Sequence, residues 1–336
     1  MIPPRIEELR LSGLLLSSCE VAFSIQGHTV YARMKKTLFP SISLGLAVLF
    51  TSGCSIKKIA MNQLGDALSG GGTVFSSDED PELVKDALPF SLKLMESVLA
   101  ETPEHRGLLL SLASGFTQYG YGFVQLDADE IEDDDYGEAQ ELRDRATRLY
   151  LRAKRYGMRA LEVKHPNFEA RLINDREMAL KELKESEIPY LYWTGLSWAG
   201  AIALSLDDPE QLGNLAIAES MLERALELNP DWDFGTLRGF FVTYEMSRIG
   251  GTEDPIQKAT EHFIEAKRLS GGLMASNYVA YAESVAIEKQ DKELFVTLLN
   301  QALAIDLDAR PNWRLSNKIY QRRAKWLLTR LDWYFF

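Results

Sequence analysis

Residues Ala216 to Pro230 read AIAESMLERALELNP, and their spacing decides the fold. Ala218, Leu222, Ala225 and Leu226 fall at helical intervals, and Pro230 follows as a stop signal. A small residue, a large one four on, a small-large pair and then proline mark the second helix of a tetratricopeptide (TPR) unit. The alanines let a neighbouring helix approach closely, while the leucines fill the grooves beside them.

The same phase recurs in both directions. Downstream, Ala259, Phe263 and Ala266 repeat small-large-small with Gly271 in the place of Pro230, and Phe295, Leu299, Ala302 and Leu303 repeat it again. The steps from Ala218 to Ala259 to Phe295 are 41 and 36 residues, against about 34 in a TPR array. The turns vary in length and the phase persists. Upstream, Ser91, Met95, Val98, Leu99 and Pro103 follow the pattern, as do Ala146, Tyr150 and Ala153 within a long helix from Glu138 to Lys164. Leu109, Leu112, Ala113 and Phe116, and later Trp193, Leu196, Ser197 and Gly200, take first-helix positions. Further first helices are expected over Phe234 to Ile249 and Asn277 to Glu288. Phe168 to Lys184 fits the repeat poorly and reads as an inserted helix. Leu315 to Leu331 reads as a terminal cap, with Lys318, Arg322, Arg323 and Lys325 facing water and Ile319, Trp326 and Leu327 facing inward. The expected fold is all-α: a TPR-like α-solenoid of stacked antiparallel helix pairs over residues 81–336, with an inserted helix and a C-terminal capping helix.

The chain has 336 residues and is 46% hydrophobic, enough for a stack of this size. Its net charge of −12 repels nucleic acid and anionic lipid over most of the surface, so neither is expected as a partner. With two cysteines, Cys19 and Cys54, there is no disulfide framework and no Cys-rich metal site.

Met34 opens MKKTLFPSISLGLAVLFTSGC, which reads as an export signal starting at that methionine. Lys35 and Lys36 supply the charged region, Leu38 to Phe50 an apolar run, and small residues precede Cys54. An apolar run of about 13 residues is short for a bilayer span, which needs about 20. The small residues ending in cysteine resemble a bacterial lipobox, with Thr51 where Leu is usual. Cys54 is therefore the expected lipidation site, and its anchor the only expected membrane contact. Residues 1–53 thus form an upstream segment and signal peptide. Residues 54–80, with Ser69 to Gly72 and a Ser/Asp/Glu run, read as a flexible tether.

The acidic run Asp127 to Glu138 places carboxylates at several EF-hand positions, but Ile131 and Glu132 stand where a ligand and a glycine are needed. It reads as a solvated connection kept extended by like charges. The Gly195-Leu196-Ser197-Trp198-Ala199 run lacks the last glycine of a nucleophile elbow and lies in a helix. His28, His105, His165 and His262 have no partner at metal-ligand spacing. No catalysis, metal or cofactor is expected. The expected working surface is the concave face of the first helices, lined by Tyr119, Tyr121, Phe123, Trp193, Trp198, Phe241 and Tyr244. Trp193 is expected between helices and Trp198 on the concave side.

The signal ending at Cys54, LYWTGLSW at Leu191 to Trp198, ALELNP at Ala225 to Pro230 and NKIYQRRAKWLL near the end together carry a family resemblance. The chain resembles the T-component (TatT) family of TPR-type lipoproteins associated with tripartite ATP-independent periplasmic (TRAP) transporters. The resemblance implies a bacterial periplasmic lipoprotein that binds the transporter's substrate-binding P subunit, assembles as a homotrimer and carries a channel suited to an apolar ligand. The competing reading is a cell-envelope TPR scaffold for protein assembly with no ligand of its own.

If Ala225 sets the helix separation, Ala225→Leu overpacks that contact. The expected loss of about 1–3 kcal/mol is checked by the urea unfolding midpoint.

Overall fold

The Asp80 carboxylate accepts hydrogen bonds from the backbone N–H groups of Glu82 and Leu83, both at 3.1 Å, and so opens the first long helix. Pro81 fits beside it because the first helical position needs no donor. The computed structural model describes residues 57–335 except 71, 249, 252 and 253. Cys54 and the expected signal peptide lie outside the described residues.

Among the described residues every regular element is a helix. These are α1 (57–70), α2 (Gly72–Ser76), α3 (Pro81–Glu101), α4 (Arg106–Tyr119), α5 (Leu126–Ile131), α6 (Tyr136–Lys164), α7 (Phe168–Asn174) and α8 (Arg176–Lys181). Then follow α9 (Ile188–Ala203), α10 (Pro209–Gly213), α11 (Leu215–Leu228), α12 (Trp232–Ser247) and α13 (Pro255–Leu269). The chain ends with α14 (Ala275–Tyr281), α15 (Lys292–Leu303), α16 (Arg314–Leu328) and α17 (Leu331–Tyr334). Two π-helical segments, Gly120–Gln125 and Ala282–Ala286, prolong α4 and α14.

Helix α9 packs on α6 and α11, α12 on α13, and α14 on α15 and α16, which gives the all-α solenoid. Ala218, Leu222, Ala225, Ala259, Ala266, Leu299 and Ala302 are fully buried in it. Leu226 and Phe263 are half-buried and Pro230 is exposed. Small residues set the spacing: a Cβ on Gly157 of α6 would stand 2.1 Å from Thr194 Oγ1 of α9, and one on Gly195 would stand 2.8 Å from Leu222 Cγ of α11.

Several elements depart from the sequence-based expectations. The tether expected over residues 54–80 is helical in α1 and α2. Met61, Gly65 and Leu68 recur at i, i+4 and i+7, and this face packs on α4: Gly65 lies against His105, and the Ser111 hydroxyl reaches Ser69 O at 3.4 Å. The expected inserted helix is two short ones, because Asp175 caps a new start by accepting from Met178 N. Helix α12 resumes right-handed geometry only after Asp233, Phe234 and Gly235, whose φ values are 47°, 57° and 86°.

The largest correction concerns charge. The acidic run, expected to be extended, is helical in α5, where Leu126 and Ala128 are buried. The arginines of α16 turn back onto it. Arg322 donates to Asp127 and Glu130, each at 2.7 Å, and Arg323 donates to Asp129 at 3.1 Å and Glu283 at 2.7 Å. Arg143 adds bonds to Asp129 at 3.3 Å and Glu132 at 2.7 Å, and Lys85 one to Asp127 at 2.7 Å. Arg330 pairs with Asp133. These side chains have partners for their charge and do not form a merely wettable face. Apolar contact accompanies them, since a Cβ on Gly122 would stand 3.1 Å from Ile319 Cδ1. The last long helix thereby closes the solenoid onto its first helices.

A second buried charge ties α4, α6 and α9 together. The Glu187 side chain, 1% exposed, pairs with Arg106 and Lys164, and the Arg106 guanidinium lies 4.0 Å from the centre of the Tyr190 ring. Burial pushes its carboxyl up, but the hydrogen bonds from Lys164 and Arg106 outweigh that and hold it below its ordinary 4.5.

Arg323→Met leaves the half-buried Glu283 without its cation. A loss of about 3 kcal/mol in thermal unfolding is expected, with faster amide exchange in α16. Because the Glu187 pKa is depressed on folding, its stabilisation is complete above the ordinary value and disappears as pH falls through the lowered one. The gap in urea midpoint between wild type and Glu187→Gln is therefore expected to be wide at pH 7 and to shrink at acid pH.

Candidate functional site

Two π-helical segments and one face of α16 meet where the solenoid closes. A π turn inserts one residue into a helix and turns the following side chains to a new face. Gly120 and Gly122 make this possible on the first segment: a Cβ on Gly120 would stand 3.2 Å from Tyr150 Cε1, and Gly122 faces Ile319. Tyr121, on this segment, lies with its ring 5.8 Å from that of Tyr320 on α16. The Tyr150 hydroxyl donates to Gln125 Oε1 at 2.6 Å. Glu283, on the second π segment, receives both Nε and Nη2 of Arg323, at 3.0 and 2.7 Å.

Electrostatics at this junction are dominated by desolvation. Burial pushes the Glu283 carboxyl up, against the pull of Arg323. Burial also pushes the Tyr121 phenol well above its ordinary value, with Tyr320 and Glu283 adding to the effect, and raises Tyr320. Both phenols are therefore protonated at neutral pH. Arg323 stays charged, because Glu283 and Asp129 offset its desolvation. Yet Tyr121, Tyr320 and Glu283 are each only half-buried. Nearby, Tyr190 and Trp193 on α9 are half-buried as well, and Trp193 meets Tyr192 edge to face at 4.9 Å.

The seven aromatics expected on one concave face fall into different environments. Tyr119 and Phe123 are buried with centroids 5.9 Å apart, in the core formed by α3, α4 and α6. Trp198 is 4% exposed in the next core, with Lys154 Nζ 4.2 Å from the ring centre. The expected roles of the two tryptophans are thus reversed: Trp198 packs between helices and Trp193 is the more open one. Phe241 is buried and stacks on His262 at 5.3 Å, and Tyr244 is buried beside Phe240. Only Tyr121 and Trp193 of the seven stay half-open. Tyr320, Glu283, Gln125 and Tyr190 were not singled out from the sequence. The Gly-Tyr-Gly run at 120–122 was the available signal, since paired glycines in a helix mark close approach.

The His105 side chain serves structure at a helix end. His105 Nδ1 accepts from Leu108 N at 3.2 Å and caps α4. Among the described residues no cluster of His, Cys, Asp and Glu is arranged to hold a metal. Asp127 and Asp129, two of the EF-hand-like positions, are engaged by the cations described above. Among the described residues no helix is long and apolar enough to cross a membrane.

The chain is 29% identical over 309 residues to an uncharacterized protein of Treponema pallidum (strain Nichols), covering 85% of this chain and 94% of that relative. A family match spans nearly the whole described region. The TRAP transporter T-component family model matches residues 77–335, and the chain belongs to that family.

Proposed function

We propose that this protein is a periplasmic lipoprotein, anchored through Cys54, that docks the substrate-binding P subunit of a TRAP transporter. It assists import of an apolar or amphipathic small ligand through a passage inside each protomer. Membership of the T-component family supports association with a TRAP transporter. The observation that carries the finer reading is the junction between the π segments and α16. Tyr121, Tyr320 and Glu283 are half-open by surface area, yet burial dominates the pKa of each. In this reading these reachable but desolvated side chains line the passage. Neutral phenols and a carboxylate already paired with arginine give that wall aromatic surface with polar tips, which suits a ligand with an apolar body. The role is one of binding and hand-over, with no reaction assigned. Repeats of the TPR kind, in a trimer of such protomers, complete the reading.

The test is to tag the full chain, solubilise it in detergent and purify it from cells that also express the P subunit of a TRAP transporter. Co-elution of the two, with a mass corresponding to three copies of this chain, is the expected result. Native mass spectrometry should show a small molecule on the wild type. Tyr320→Ala should lower its occupancy by about tenfold, equivalent to about 1.4 kcal/mol, while keeping the helical circular dichroism. Elution without the P subunit and without any bound small molecule overturns the reading.

A further inference from the structure

Helix α1 begins at Lys57, three positions after Cys54. Three residues reach at most about 11 Å. A helix is about 10–12 Å across, so no further layer of protein fits between the start of α1 and a bilayer that holds an acyl group on Cys54. A second copy of the chain meets the same limit. This inference rests on the proposed acylation of Cys54.

The inner face of α1 is fixed to the body. Met61 and Leu68 pack against the core of α3, α4 and α6, a Cβ on Gly65 would stand 2.7 Å from the His105 ring, and Lys57 pairs with Glu101 at 2.7 Å. The opposite face therefore keeps one orientation relative to these helices. It consists of Ile59, Ala60, Gln63, Leu64 and Ala67, at i, i+1, i+4, i+5 and i+8, and all five are exposed. Ile59 is 55% exposed and Leu64 42%.

No residue of that outer face is charged. A helix face turned to water ordinarily carries charged and polar side chains, and 26% of this chain is charged. From Ile59 to Ser77 the one charged side chain is Asp66, which stands on the flank of α1 with its Oδ1 3.2 Å from His105 Nε2. The acidic excess behind the −12 net charge lies elsewhere, so the face presents nothing that repels a lipid headgroup. A face of this size is too weak to hold a protein on a membrane by itself. An acyl anchor three residues away makes the contact intramolecular, and the raised effective concentration keeps a weak apolar face seated.

We propose that α1 lies along the membrane surface with Ile59, Ala60, Gln63, Leu64 and Ala67 in the headgroup layer. The helices packed on α1 are then held against the bilayer in one orientation instead of swinging on a tether.

The test uses the acylated full chain, reconstituted into phosphatidylcholine vesicles with and without doxyl-labelled acyl chains. Single cysteines carrying the fluorophore NBD replace Ile59, Leu64, Met178 or Ile264. All four positions are exposed, and the last two stand on α8 and α13, which pack in the other two cores. Removal of Cys19 with the signal and acylation of Cys54 leave the introduced thiol as the one that labels. Doxyl lipid is expected to quench NBD about threefold more at 59 and 64 than at 178 and 264. Gln63→Glu with Ala67→Glu, both exposed and both compatible with a helix, should lower the quenching at 59 by about half at an unchanged helical spectrum. Equal quenching at all four positions overturns the proposal, as does quenching at 59 that ignores the two glutamates. A blue-shifted probe at 59 or 64 that doxyl lipid does not quench means that protein covers the face, and overturns it too. Intact mass and vesicle flotation separate the two readings. An acylated, floating chain without quenching at 59 and 64 overturns this proposal alone, whereas a chain that carries no acyl group and does not float overturns the lipoprotein reading and this proposal with it.

Discussion

The ion-pair seam between α16 and the α5 region is the constraint on which the rest of the structure depends. Arg322 and Arg323 reach carboxylates that lie more than 190 residues earlier in the chain, at Asp127, Asp129 and Glu130. A solenoid ordinarily bonds each unit only to its neighbours, so its ends are free to splay. Here the end is fastened to the beginning. One cation, Arg323, joins Asp129 on α5 to Glu283 on a π segment, so both sides of the closure share a single charge.

Burial decides how much such a seam contributes. Exposed pairs, such as Lys258 with Glu261, contribute little, because water and side-chain entropy offset most of the attraction. The Arg323 side chain is only 11% exposed, so removing either partner strands a desolvated charge. The seam also shares its acceptors: Asp127 serves Lys85 and Arg322, and Asp129 serves Arg143 and Arg323. In a network of this kind each side chain is already ordered by one partner when it meets the next, so the entropy cost per bond falls. The −12 net charge is consistent with this: acidic residues concentrated in one segment can still be locally neutralised by a basic helix.

The buried face of α11 was legible because it is local. Ala218, Leu222 and Ala225 are set by contacts within one helix pair, and the 3.6-residue period exposes them to inspection. The seam was not legible in the same way. An acidic run and a basic helix, each viewed alone, read as solvated faces, and only their juxtaposition in space shows that they are complementary. The tether failed differently: the Gly/Ser/acidic composition of residues 69–80 masked the helical recurrence of Met61, Gly65 and Leu68 just before it. For Trp193 and Trp198, the five-residue offset correctly separates two faces of α9, but not which face is inside. Lys154, which covers Trp198, comes from α6 and is invisible to any reading of α9 alone.

Closure also fixes the chemistry of the candidate site. The two π segments would be irregularities of little consequence in an open stack, because Tyr121 and Glu283 would simply face water. With α16 in place, Tyr320 is brought against Tyr121 and Arg323 against Glu283. Desolvation then keeps the phenols protonated, while the arginine divides its charge between two carboxylates. The same helix therefore supplies the mechanical closure and the polar groups of the wall. A substitution that weakens the seam must alter the site as well, even when it touches none of the aromatic rings.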